Sequence, residues 1–209
     1  MKKRLHDKRA GIAILISLII VSLLDFVFRH GCMHEVVVNS ANFGEPVATI
    51  ILASIVLFFT VKGKDRISYI CYVIWIGYFV LDQVIELPGQ IFTMTELLPR
   101  TAAGMHPIAF VTWALRVLSM FGIVGIGVLL VEYMNDGTIC NKAFNILCVV
   151  TVVLLTVNIV LSIWTAVNIR KELMLDAFNC MYRSCMVFLA TFFAYDNAKI
   201  QLKKVNFSK

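Results

Sequence analysis

Apolar side chains run along this chain in six long blocks, separated by short polar or basic stretches. The blocks cover about residues 11–28, 46–61, 67–87, 108–131, 143–167 and 177–195. A helix that crosses a bilayer needs about 20 predominantly apolar residues, so each block reads as a transmembrane span. The second is short, and either begins earlier, near Val36, or crosses a locally thin region. The sixth is the weakest, because Asn179 and Arg183 interrupt its first half.

The breaks between blocks carry their own signals. Lys62-Gly63-Lys64-Asp65-Arg66 reads as a tight basic turn, and Asn135-Asp136-Gly137 as another. Pro88-Gly89 reads as the helix stop that ends span three. Residues 88–107, bounded by Pro88 and Pro107, then form the longest loop, semi-apolar and suited to the membrane surface. The first block is long for a signal-peptide core and no small-residue cleavage pattern follows it, so it reads as a retained span. The predicted fold is all-α, a polytopic transmembrane bundle of six helices, with residues 1–209 as one transmembrane domain. Three spans per half would permit an inverted repeat, but the two halves show no internal similarity.

Composition agrees. The chain is 60% hydrophobic and 15% charged, against about half and a quarter in soluble domains. The net charge of +6 does not point to nucleic acid, because the basic residues sit in tails and short turns beside apolar spans. With six spans, the N-terminal segment, the 62–66 turn, the 132–142 loop and the C-terminal segment share one side. Thirteen of the nineteen Lys and Arg lie there. The opposite side holds Arg29, Arg100, Arg170, Lys171 and Arg183, and Arg116 falls inside span four. Five spans would carry Lys199, Lys203, Lys204 and Lys209 across, so both termini are placed in the cytoplasm. The short loops fit a multi-pass plasma-membrane protein with the lipid bilayer as its first partner.

Ionisable residues inside the spans are the informative ones, since hydrocarbon charges for them unless they are paired or wet. Asp82 and Glu86 are spaced to share a helical face, and Tyr78 and Trp75 continue it inward. That aromatic-acidic stripe suits a small cationic or amphipathic molecule, held by carboxylate pairing and cation–π contact. Arg116 in span four and Asp25 near the end of span one lie at comparable depth on the same side, so Asp25, Asp82, Glu86 and Arg116 are expected to meet in one outward-opening pocket. Asp82 with Arg116 also reads as a structural ion pair, and Asp25 and Glu86 as hydrated charges at headgroup level.

His30, His34 and His106 fall on that same side and are weak candidates for a metal site, with no zinc-binding spacing to support them. No cofactor is expected. Of the six cysteines, Cys71 and Cys148 lie inside spans, and Cys32, Cys180 and Cys185 share the outer side, where a disulfide has room but no required spacing. Gly122, Gly125 and Gly127 suit close helix packing in the membrane. Thr151, Asn158, Ser162 and Thr165 make a polar stripe on span five that should face the interior as interhelical glue or line a solute path. There is no G-x-S-x-G nucleophile motif. Arg100–His106 lacks the paired glycines of the peptide-processing membrane cysteine proteases, and no cysteine follows where their nucleophile would sit.

The function expected from these features is binding or transport of a small molecule through the pocket. The alternatives are a membrane enzyme acting on a lipid or peptide at the outer leaflet, through Asp82 or Glu86 with a histidine, and an accessory subunit whose polar stripe serves assembly with a partner or a second copy. The charge asymmetry yields a direct test of topology. In a cysteine-free background, Lys209→Cys should react with a membrane-impermeant thiol reagent only after the membrane is opened, whereas His34→Cys should react on intact cells. Labelling of position 209 from outside would overturn the six-span arrangement.

Overall fold

The computed structural model describes residues 2–32, 41–63, 65–102, 107–136, 141–169 and 174–206. Among the described residues there are six α-helices: α1 Lys2–Cys32, α2 Ala41–Val61, α3 Asp65–Ala102, α4 Pro107–Asp136, α5 Asn141–Asn168 and α6 Met174–Asn206. Five contain stretches long and apolar enough to cross a membrane: Arg9–Gly31, Ile70–Thr93, Phe110–Glu132, Lys142–Asn168 and Met174–Ala194. The apolar part of α2, Pro46–Val61, is shorter.

The helices obey the spacing that makes such segments pack. On α5 the buried positions are Phe144, Cys148, Thr151, Leu155, Asn158, Ser162 and Thr165, alternating steps of four and three residues. On α1 they are Leu15, Leu18, Ser22 and Asp25, and on α2 Thr49, Ala53, Val56 and Thr60. A stripe repeating every 3.5 residues lets each helix present one narrow seam to its neighbours. Many side chains off the seam are apolar and exposed, such as Ile74, Ile85 and Val167 at 66%, 76% and 73%. Water would penalise that surface, whereas lipid accepts it, provided every backbone group is satisfied inside its own helix.

Two junctions differ in an instructive way. At the basic turn the chain does break: Lys62 N donates to Phe58 O at 3.0 Å, Gly63 N to Thr60 O at 3.3 Å, and Gly63 takes φ of 71°. That left-handed residue after the last helical turn is the place glycine serves best. Across the turn the hydroxyls of Thr60 and Ser68 lie 2.7 Å apart, both buried. Pro88-Gly89, by contrast, does not stop its helix. The helix α3 continues to Ala102, so the expected break and most of the expected 88–107 loop are replaced by helix. A proline removes one amide donor, and an apolar helix in lipid has no better conformation to adopt than the next helical turn. The N-terminal basic segment is likewise helical from Lys2.

The chain forms two compact units. Residues Met1–Ile76 with Cys185–Lys209 make the first, and Gly77–Ser184 the second, so α3 and α6 contribute to both. In the first, α1 packs on α2, and Gly11 faces the ring of Phe192 closely enough that a Cβ would sit 2.8 Å from Cε1. Tyr72 and Phe193 place their rings 6.4 Å apart in its core. In the second unit α4 packs on α5, and glycines set the distance. A Cβ on Gly122 would collide with the Thr151 side chain, one on Gly125 would lie 2.8 Å from Leu147 Cδ2, and one on Gly127 would lie 2.5 Å from Val80 Cγ1. The expected role of these glycines in close helix packing is met.

The polar stripe of α5 is buried as expected, but its hydroxyls do not bridge helices. Thr151 Oγ1 donates to Leu147 O at 2.7 Å and Thr165 Oγ1 to Leu161 O at 2.8 Å, both within α5. A hydroxyl satisfied by its own helix acts as a compact filler, which is what Gly122 requires opposite Thr151. Gly122→Ala should therefore destabilise the protein by about 1–3 kcal/mol, the cost of overpacking. Gly77→Ala, where nothing lies within 4 Å of the added carbon, should be neutral or stabilising. Thermal unfolding in detergent would show the contrast, and equal effects of the two changes would refute it.

Candidate functional site

Within the second unit, α4 and α6 each carry an arginine nine residues beyond the first helical residue, Arg116 and Arg183. At 1.5 Å per residue each lies about 14 Å along its helix. Each has found a carboxylate. Arg116 Nη1 donates to Asp176 Oδ1 at 3.2 Å, linking α4 to α6. Arg183 Nη2 donates to Glu86 Oε2 at 3.2 Å, linking α6 to α3. Both separations exceed the 2.7–2.9 Å of a tight charge-assisted bond, so neither pair is fully closed.

Burial is unequal across each pair. The side chain of Arg183 is 3% exposed, and that of Glu86 40%. Arg116 and Asp176 stand at 17% and 42%. The cations are inside and the anions at the rim. Arg116 also lays its guanidinium over the Trp113 ring, 5.2 Å from the centroid. The Nε atoms of Arg116 and Arg183 are buried and donate to no acceptor among the described residues.

Beside Arg116, Asp176 and Arg183 lies a small cleft with room for about one water. Thr112, Trp113 and Arg116 line it from α4, and Asn158 from α5. The α6 wall is Asp176, Asn179, Cys180 and Arg183, spaced to fall on one helical face. Edge-to-face packing of Phe79 on Tyr182, with centroids 5.7 Å apart, holds α3 against α6 nearby. No protein-family model, curated protein or solved structure matches this chain. What the cleft does must be argued from its chemistry.

The residues expected to form the pocket are divided between the two units, Asp25 and Trp75 in the first and Tyr78, Asp82, Glu86 and Arg116 in the second. Arg116 lines the cleft and Glu86 reaches it through Arg183. The expected Asp82–Arg116 pair is replaced by Asp176–Arg116, while Asp82 accepts from Gln83 Nε2 at 3.1 Å on its own helix. Of the aromatic stripe, Trp75 is buried at 3% and Tyr78 is 67% exposed, so the two do not present one surface. Asp25 belongs to the first unit, where Arg29 Nε donates to it at 2.8 Å. His30 is exposed on α1 with its ring 6.4 Å from that of Phe26, and His34 and His106 lie outside the described residues. Among the described residues no cluster of three or more His, Cys, Asp or Glu is placed to hold a metal ion. Cys71, Cys148, Cys180 and Cys185 form no disulfide among the described residues, and the side chain of Cys32 lies outside the described set.

Asp176 and the role of Arg183 were missed from sequence, whereas Asn158 was read there as part of the polar stripe of α5. The signal was present: Asp176, Asn179, Cys180 and Arg183 follow helical spacing at the start of an apolar block. Asn179 and Arg183 read there as weakening the span, when an intramembrane arginine asks for a partner. The pairing can be checked by double-substitution cycles. Arg116→Leu and Asp176→Asn should couple by about 1 kcal/mol or more, whereas Arg116→Leu and Asp82→Asn should be additive. Glu86→Gln strands a buried cation and should cost about 3 kcal/mol, of which Arg183→Met in the same chain returns a part.

Proposed function

We propose that this chain is a multi-pass integral membrane protein that binds or moves a small amphipathic molecule through the Arg116–Arg183 cleft. The observation that carries this reading is Arg183: a guanidinium 3% exposed, on an apolar helix, with one partner at 3.2 Å, a buried and unsatisfied Nε, and a side chain that lines a polar cleft. A charge meant only to lock two helices is best closed on all its donors. Leaving donors unmet next to a cleft is the arrangement of a binding site, and intramembrane charges commonly mark solute pathways.

Charge distribution supports six spans with both termini in the cytoplasm. On that topology the N-terminal ends of α4 and α6, and with them the cleft, face away from the cytoplasm. Glu86 and Arg116 of the originally expected pocket serve as ligand contacts, joined by Asp176, Asn158 and Arg183. On this reading the cleft opens to admit its ligand, and the partly exposed carboxylates of Glu86 and Asp176 are the parts that would move. The excess of donors favours a ligand with acceptor oxygens over a simple cation.

Native mass spectrometry on protein purified in an uncharged detergent tests this reading. The wild type should retain a small amphipathic molecule, or take one up from added amphiphiles. Arg183→Met, helical by circular dichroism, should retain at least tenfold less. Absence of any bound species in the wild type, with no uptake of any amphiphile, would refute the proposal. Conversion of the retained molecule in detergent, without a gradient, would replace transport by catalysis.

A further inference from the structure

Three contacts gather the basic stretches of the first unit at one end. Gly11, near the start of α1, lies against the ring of Phe192 on α6, and Tyr72, near the start of α3, places its ring 6.4 Å from that of Phe193. The hydroxyls of Thr60 and Ser68 join the end of α2 to the start of α3 at 2.7 Å. The start of α1, the α2–α3 turn and the far part of α6 therefore lie together within one unit. Residues 2–9, 62–66 and 196–206, which adjoin these contacts, hold eleven Lys and Arg against three Asp. At the other end of the same unit, α1 from Asp25 onward and α2 as far as Pro46 hold one arginine, Arg29, against Asp25 and Glu45. Among the described residues of this unit, the cationic excess belongs to one end.

The depth of these charges along the helices indicates their partner. Arg9, exposed, opens the apolar stretch of α1, and Lys62, also exposed, directly follows Val61 at the end of the apolar part of α2. Lys62 keeps its ammonium 5.8 Å from the centre of the Phe58 ring, a side chain that is itself 56% exposed. A cation laid back along exposed apolar surface marks the boundary between hydrocarbon and headgroup. From that boundary α1 extends seven residues outward and α6 twelve, about 10 Å and about 18 Å at 1.5 Å per residue. Those lengths cross the headgroup layer, which is about 5–8 Å deep on each face. We infer that this end of the first unit is a binding surface for anionic glycerophospholipids, whose phosphates meet the Lys and Arg while their acyl chains lie on the apolar surface beside them. Anionic headgroups relieve the mutual repulsion of the gathered cations. A soluble polyanion would do the same but would leave Phe58 and Val61, both exposed, without a partner. The proposal is independent of the Arg116–Arg183 cleft, whose residues belong to the second unit.

The test captures the full-length protein from uncharged-detergent micelles holding equimolar dioleoyl-phosphatidylglycerol and dioleoyl-phosphatidylcholine, and measures the retained lipids by mass spectrometry. At about 0.1 M salt the wild type should retain the anionic lipid about fivefold or more over the zwitterionic one. At about 1 M the two should be retained within about twofold of each other, because the screening length shrinks from about 10 Å to about 3 Å. Lys2→Gln, Lys3→Gln and Arg4→Gln together should at least halve the low-salt preference, as should Lys199→Gln, Lys203→Gln and Lys204→Gln together. Both sets in one chain should abolish it. Arg170→Gln with Lys171→Gln, which removes two cations from the segment between α5 and α6, should leave it unchanged. Equal retention of the two lipids at low salt would overturn the proposal, as would a preference that persists at high salt or that the 170–171 change lowers as much as the basic sets do. Stripping of the anionic lipid by soluble polyphosphate at equal phosphate concentration would assign the surface to a soluble polyanion and overturn it too. Where a variant fails to fold by circular dichroism, the salt and polyphosphate series on the wild type still decide.

Discussion

The guanidinium of Arg183 rides on an apolar helix and is shut away from its surroundings, and that burial sets conditions on its neighbours. An unpaired cation there would cost several kcal/mol, so a carboxylate must be supplied from another helix. Glu86 supplies it from α3, while the second arginine, Arg116, draws Asp176 from α6. The two pairs tie α3, α4 and α6 of the second unit together at one end. They do so loosely, because each bond is 3.2 Å long and each carboxylate keeps about two-fifths of its side-chain surface exposed. A fold that depends on charges held this way is stable while the pairs are made and has a low-cost route to rearranging them.

The apolar packing makes that arrangement possible. Seams repeating every three or four residues bring helices together without a soluble core, and small residues decide how near they come. The opposition of Gly122 to Thr151 and of Gly125 to Leu147 fixes α5 close to α4. Asn158, two turns further along the same α5 seam, is thereby brought to the cleft wall. The polar residues of α5 thus serve two ends. Those satisfied by their own helix fill space, and Asn158 lines the cleft beside Arg116 and Arg183.

By itself the sequence determined that the chain is helical, with blocks long and apolar enough to cross a bilayer, because block length and apolar content are local properties read one segment at a time. It also determined the role of the glycines and the inward face of the α5 stripe, since both follow from helical periodicity. Three things were decided only by tertiary structure. The helix α3 passes Pro88 because the lost hydrogen bond costs less than an unsatisfied backbone in lipid would. Arg116 pairs with Asp176 instead of Asp82 because partner choice depends on which helix faces which, and depth along a span says nothing about rotation around it. The cleft forms where α4, α5 and α6 present Arg116, Asn158 and Arg183 to one another, a meeting of residues up to sixty-seven positions apart that no single helix encodes.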